Sequence, residues 1–118
     1  MEPGDIRLKR VYEPAAPDDG ARVFVERLWP RGISKQRAQF ADWVRDLAPT
    51  AELRRWYSHR PERWPEFRTR YLAELQPRGA ELERLRALAR EGRLTLVYAA
   101  RDEHRNSATV LKEALEGP

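Results

Sequence analysis

The chain has 118 residues, 23 Lys+Arg against 19 Asp+Glu for a net charge of +4, 41% hydrophobic residues and no cysteine. That length suits one domain with a single core, and the missing cysteine excludes a disulfide scaffold, a thiolate zinc site, an iron–sulfur cluster and a cysteine nucleophile. No apolar run approaches the roughly 20 residues of a membrane helix, and no signal-peptide core follows Met1, so a cytoplasmic location without a membrane partner is expected.

The first predicted element is a strand over Ile6–Tyr12, where apolar and basic residues alternate with period two. Two prolines, two aspartates and a closing glycine make Glu13–Gly20 a loop. Arg22–Leu28, with its β-branched and aromatic centre, reads as a second strand that Trp29-Pro30-Arg31-Gly32 ends. Ile33–Asp46 is ambiguous: Ser34 suits the cap of a short helix, and Phe40, Trp43, Val44 and Leu47 have helix-compatible spacing. Thr50 is the expected N-cap of a helix through Tyr57. A further helix starts near Pro61 and carries the stripe Trp64, Phe67, Tyr71 and Leu75, with Glu66 and Arg70 paired at i,i+4. Gln76-Pro77-Arg78-Gly79 is expected to break it. Ala80–Glu91 is the next helix, with Glu81 facing Arg84, Glu83 facing Arg86, and Gly92 as its C′ residue. Arg93–Ala100 reads as a buried central strand. A polar turn then leads to a last helix carrying Val110, Leu111, Ala114 and Leu115, which ends at Gly117-Pro118. A buried strand between two helices points to a single α/β domain over residues 1–118, with a small, mainly parallel sheet flanked by helices.

Ligands of open α/β sheets bind beyond the carboxyl ends of the strands. Two segments fall there. After the last strand stand Arg101, Asp102, His104 and Asn106, with Asn106 or Ser107 suited to capping the last helix. At the end of the second strand, Arg27 and Arg31 with the Gly32 amide would make an anion-sized pocket walled by Trp29. The plainer readings are a capping turn, an arginine paired with an internal carboxylate such as Glu26, and a packed Trp29. Arginine outnumbers lysine 20 to 3; a GC-rich genome accounts for such a bias, and recognition of phosphate or carboxylate is its functional reading. No block of like charge forms a nucleic-acid tail. The chain lacks G-x-G-x-x-G, Walker, G-x-S-x-G and H-E-x-x-H signatures, so no cofactor or metal site is expected.

One set of segments resembles a known family, in order along almost the whole chain: Lys9-Arg10-Val11-Tyr12, Asp19-Gly20-Ala21-Arg22-Val23, Arg27-Leu28-Trp29-Pro30-Arg31-Gly32, Trp43 with Ala48-Pro49-Thr50, Leu53-Arg54-Arg55-Trp56, Phe67-Arg68-Thr69-Arg70-Tyr71, and Thr95-Leu96-Val97-Tyr98-Ala99-Ala100-Arg101-Asp102 with Asn106. These are similar to the YeaO-like family, small bacterial proteins with a domain of unknown function. The resemblance implies a compact α/β domain. It also places Arg27, Trp29, Arg31, Arg101, Asp102 and Asn106 at motif positions. The leading expectation is a small anionic ligand, such as a nucleotide, sugar phosphate or carboxylate. It would be clamped by Arg27, Arg31 and Arg101, with Gly32, Trp29 and Asn106 around it and Asp102 as a candidate acid/base. The alternative is a nucleic-acid-binding or regulatory module using Arg54, Arg55, Arg68 and Arg70. A non-catalytic homodimer is the third reading.

Overall fold

A computed structural model describes residues 4–117, so the expected stop at Pro118 lies outside the described residues. The alternating segment at the start forms β1 (Asp5–Arg10). The second strand, β2 (Ala21–Phe24), is shorter than expected. One further bond, Val25 N–H to the Val97 carbonyl at 3.1 Å, continues its pairing with β4 (Arg93–Tyr98). Beyond it the Glu26 carboxylate accepts the Ala99 and Ala100 amides at 2.7 and 3.2 Å. A side chain thus replaces the strand ladder and lets the two chains diverge.

Helix α1 (Lys35–Ala38) is a single turn capped by Ser34. Helical spacing of Phe40, Trp43, Val44 and Leu47 does not extend it. Gln39 turns left-handed at φ 49°, the Ala41 amide bonds the Arg22 carbonyl, and the Val44 amide bonds that of Phe24. The open edge of β2 recruits this backbone as β3 (Asp42–Trp43). Thr50 caps α2 (Ala51–Tyr57) as its sequence implies, its hydroxyl accepting the Leu53 amide at 3.2 Å. Helices α3 (Trp64–Leu75) and α4 (Gly79–Glu91) are joined by one 3-10 turn at Gln76–Arg78, so Pro77 tightens the chain instead of opening a loop. Gly92 is extended, at φ 179°, a conformation open to any residue. Asn106 caps α5 (Ser107–Glu116), accepting the Thr109 amide at 3.0 Å.

All four strands are parallel, in the order β1-β4-β2-β3. The central strand β4 is buried almost throughout. On one face, Ile6, Val23, Leu94 and Leu96 pack under α2–α5 around Tyr71, Leu85 and Leu111. Tyr71 is fully buried and its hydroxyl donates to the Leu47 carbonyl at 2.5 Å. Burial raises its phenol pKa, with the nearby Glu74 charge adding to the effect, so the donor stays protonated.

The other face has no long helix. There Phe24, Val97, Val11, Ile33 and Ala38 form a smaller cluster under Phe40 and Trp43. Beside it runs a polar network missed in the sequence. Asp19, 7% exposed, binds Arg22, 4% exposed, at 2.8 Å and Lys9 at 3.0 Å. The buried Thr95 hydroxyl donates to the Asp19 carbonyl at 2.6 Å. Gly20 fixes this corner at φ 65°, where a Cβ would collide with the Arg93 carbonyl. The helices therefore flank the sheet mainly on one side.

Candidate functional site

The carboxyl ends of β2 and β4 lie side by side, because these strands are neighbours in the sheet. The chain leaves them on opposite faces: β4 leads to α5, which packs in the larger core, and β2 leads to α1, whose Ala38 packs in the smaller one. Divergence of this kind opens a crevice at the strand ends. A cleft of about 1040 Å³ occupies that position.

Of the residues expected at a site, Arg27, Trp29, Arg31, Arg101, Asp102 and Asn106 all line this cleft. Gly32 does not. It sits at φ 78° in the turn after Arg31, with open space around it, and serves the backbone. The Trp29–Pro30 bond is trans, like every peptide bond among the described residues. Trp29 has a packing role as well. Its indole N–H donates to the Ile33 carbonyl at 2.6 Å, and its ring meets Phe40 and Trp43 edge-on at 5.4 and 5.5 Å. The Trp43 indole N–H donates in turn to the Glu26 carbonyl at 2.6 Å, tying the edge strand to the cleft rim.

Arg27 carries the sharpest anomaly. Its Nε is buried and has no hydrogen-bond partner. A buried guanidinium donor without an acceptor costs about 1–3 kcal/mol or more. Arg101 does not pair with Glu26, whose Oε2 accepts the Ala99 and Ala100 amides; Arg101 is exposed at the cleft, so no desolvation cost arises.

Asp102 is exposed, and its Oδ1 accepts the His104 and Arg105 amides at 2.9 Å each. Those bonds, the Arg105 amide first, hold its carboxyl below the usual range. A general acid near neutral pH needs the opposite shift. The Asn106 side-chain amide donates to the Asp102 carbonyl at 2.8 Å, so Asp102 and Asn106 together lock the turn into α5.

Several cleft residues escaped the sequence reading. Arg54 and Arg55 line the cleft from α2, and Arg105 joins them from the turn that already holds Arg101. Arg105 was legible, since it stands inside the strand-end turn. Arg54 and Arg55 were not, because nothing local says where α2 points. Six arginines therefore line the cleft, and among the described residues none of the six makes an ion pair. Arginines elsewhere are largely satisfied. Arg84 takes Asp42 at 2.7 Å in place of its expected partner Glu81, Arg86 pairs with Glu83 at 3.4 Å, and Arg70 pairs with Glu66.

The rim adds Tyr57, Ser58 and His59. Burial, reinforced by the Asp102 charge, raises the Tyr57 phenol, which stays a neutral donor. Ser58 and His59 are both left-handed, at φ 46° and 55°. Consecutive non-glycine residues in that region are strained, and such strain concentrates at functional sites. A second, shallower hollow of about 260 Å³ lies beyond Trp29, lined by Lys35, Ala38, Phe40, Asp42 and Trp43.

A family model described as the inactive DUF488-N3 subclade matches residues 5–118. The chain is 46% identical over 112 residues to the uncharacterized protein Rv3073c of Mycobacterium tuberculosis, covering 95% of this chain and 94% of that one. Mb3100c of Mycobacterium bovis gives the same figures. YeaO of Escherichia coli is 40% identical over 111 residues, covering 94% and 96% of the two chains. No solved structure matches. Over nearly its whole length, the chain belongs to this YeaO-like DUF488 family of small bacterial proteins.

Proposed function

We propose that the strand-end cleft binds a small anionic ligand, with Arg27, Arg31 and Arg101 as its clamp. The observation that carries this reading is a cleft lined by six arginines, none of which makes an ion pair among the described residues; one of them, Arg27, also holds a buried Nε without a partner. Guanidinium forks suit phosphate and carboxylate oxygens. Asp102 and Asn106 act as the frame of this site. The description of the matched subclade as inactive, together with the lowered Asp102 carboxyl, favours binding without turnover over acid/base catalysis.

The nucleic-acid reading loses half of its basic face. Arg68 is paired with Glu113, while Arg70 is paired with Glu66 and stacked 4.4 Å from the Trp56 ring centre. Arg54 and Arg55 open on the cleft instead.

The test is a thermal-shift titration with inorganic pyrophosphate at low salt. The wild type gains about 2.7 kcal/mol when the probe stands at about 100 times Kd. Arg31→Ala and Arg101→Ala, both exposed positions, should each remove about half of that gain or more without lowering the melting temperature of the free protein. Equal stabilisation of all three proteins would refute the reading.

A further inference from the structure

Resting on the anion-cleft reading, we infer that the ligand is a nucleoside polyphosphate, held by arginines where other phosphate sites use a bound divalent cation.

Charge is the first argument. Six guanidinium groups share the cleft lining with only two carboxylates, Glu26 and Asp102, an excess of four positive charges among these groups. A single carboxylate or monoester phosphate leaves most of that excess uncompensated. A chain of phosphates matches it. The arginines come in pairs from three segments: Arg27 and Arg31 after β2, Arg54 and Arg55 on α2, and Arg101 and Arg105 after β4. An extended anion carries charge enough to engage all three pairs, beyond the Arg27, Arg31 and Arg101 clamp that a compact one fills.

Size and apolar lining are the second argument. About 1040 Å³ sits at the upper end of the roughly 300–1000 Å³ range typical of pockets that enclose organic ligands and cofactors. Beside the arginines the lining includes a set of apolar groups: Ala48, Pro49, Ala99, Ala100 and the Tyr57 and Phe67 rings. Those two rings pack at 4.7 Å between centres, and Trp64 lies 5.4 Å from Phe67, so the aromatic wall is held in place. An inorganic polyphosphate has nothing to set against such a surface. A nucleoside does, through its planar base and sugar.

The counter-charge is the third argument. Mg²⁺-dependent phosphate sites hold the ion with one or two carboxylates. Here the cleft offers only two carboxylates, and one oxygen of each is already taken by backbone amides: Glu26 Oε2 by Ala99 and Ala100, and Asp102 Oδ1 by its own turn. The guanidinium groups supply the positive charge themselves, so Mg²⁺ bound to the phosphates competes with them.

Isothermal titration of the full chain decides the matter, with ATP, tripolyphosphate, inorganic phosphate, adenosine and a short single-stranded RNA as probes, without Mg²⁺. ATP is expected to bind about tenfold or more tightly than tripolyphosphate, and tripolyphosphate about tenfold or more tightly than phosphate. Adenosine should give no heat, and RNA should bind more weakly than ATP. Excess Mg²⁺ should weaken ATP, and Arg31→Ala and Arg101→Ala should each weaken it by about tenfold. Phosphate binding as tightly as ATP overturns the inference but leaves the anion cleft standing. RNA binding more tightly than ATP overturns it in favour of a polymer. ATP binding that ignores both substitutions lies outside the cleft and overturns it too. Silence from every anion removes the cleft reading along with the inference.

Discussion

Asn106 joins two roles that its sequence position hints at only singly. Its Oδ1 caps α5 and its Nδ2 donates to the Asp102 carbonyl, in a side chain that is 4% exposed. Removing both bonds at a buried site costs more than a surface cap. Asn106→Ala should lose about 1–2 kcal/mol, seen as a fall of roughly 4–8 °C in the melting temperature. Asn106→Asp should recover the cap but not the donor, and fall between the two. The cap was legible because Asn before a helical run has few other uses. The anomaly at Arg27 was not. Its place in the Arg27-Leu28-Trp29-Pro30-Arg31-Gly32 string marked it as a motif residue, but burial of one guanidinium nitrogen depends on what the neighbouring loops cover.

Among the elements, the junction between β2 and β4 holds the cleft open. Glu26 replaces the missing ladder bonds by accepting two amides of the loop that carries Arg101. Glu26→Ala should strand both amides and cost about 1–3 kcal/mol, measurable as a drop in urea midpoint. It should also weaken pyrophosphate binding, because the Arg101 loop loses its anchor. Glu26→Gln keeps an acceptor and should restore most of both. Edge strand β3 shows why the ambiguous segment resisted reading. The spacing from Phe40 to Leu47 fits a helix, yet two hydrogen bonds to β2 outweigh it once β2 presents an unpaired edge. Local periodicity carries no information about that edge. Helix α2 shows the opposite case, since its Thr50 cap also binds Glu74 of α3 at 2.8 Å and local and tertiary preferences agree.

For the whole molecule, the two faces of the sheet differ in what they contribute. One is an apolar core under four helices; the other mixes a small aromatic cluster with the Lys9–Asp19–Arg22 network. Burial pushes the Asp19 carboxyl up, but the Ala16 amide and the Lys9 and Arg22 bonds outweigh it and hold it below the ordinary range. A depressed carboxyl contributes stability above its unfolded value of about 3.9, and that stability is lost as pH falls through the folded value. Asp19→Asn should therefore cost about 3 kcal/mol or more at pH 7, because it leaves two cations against one neutral group in a buried site. The difference from wild type should shrink below pH 4, as urea midpoints at pH 7 and pH 3 would reveal. A difference that stays constant with pH would assign the loss to packing instead of charge.

The sequence by itself determined the local events. It placed the caps at Ser34, Thr50 and Asn106, the buried run of β4, the apolar stripes of α3 and α5, and the family. These follow from backbone hydrogen-bonding needs and side-chain periodicity within a few residues. Only the tertiary structure decided which arginines share a wall. Arg27, Arg54 and Arg101 stand far apart in sequence, and they line one cleft because parallel pairing sets β4 beside β2 and α2 beneath them. Burial of Asp19 and Arg22 was decided there too. A charged pair reads as surface until a neighbouring strand and loop remove it from water, and no local pattern records that desolvation.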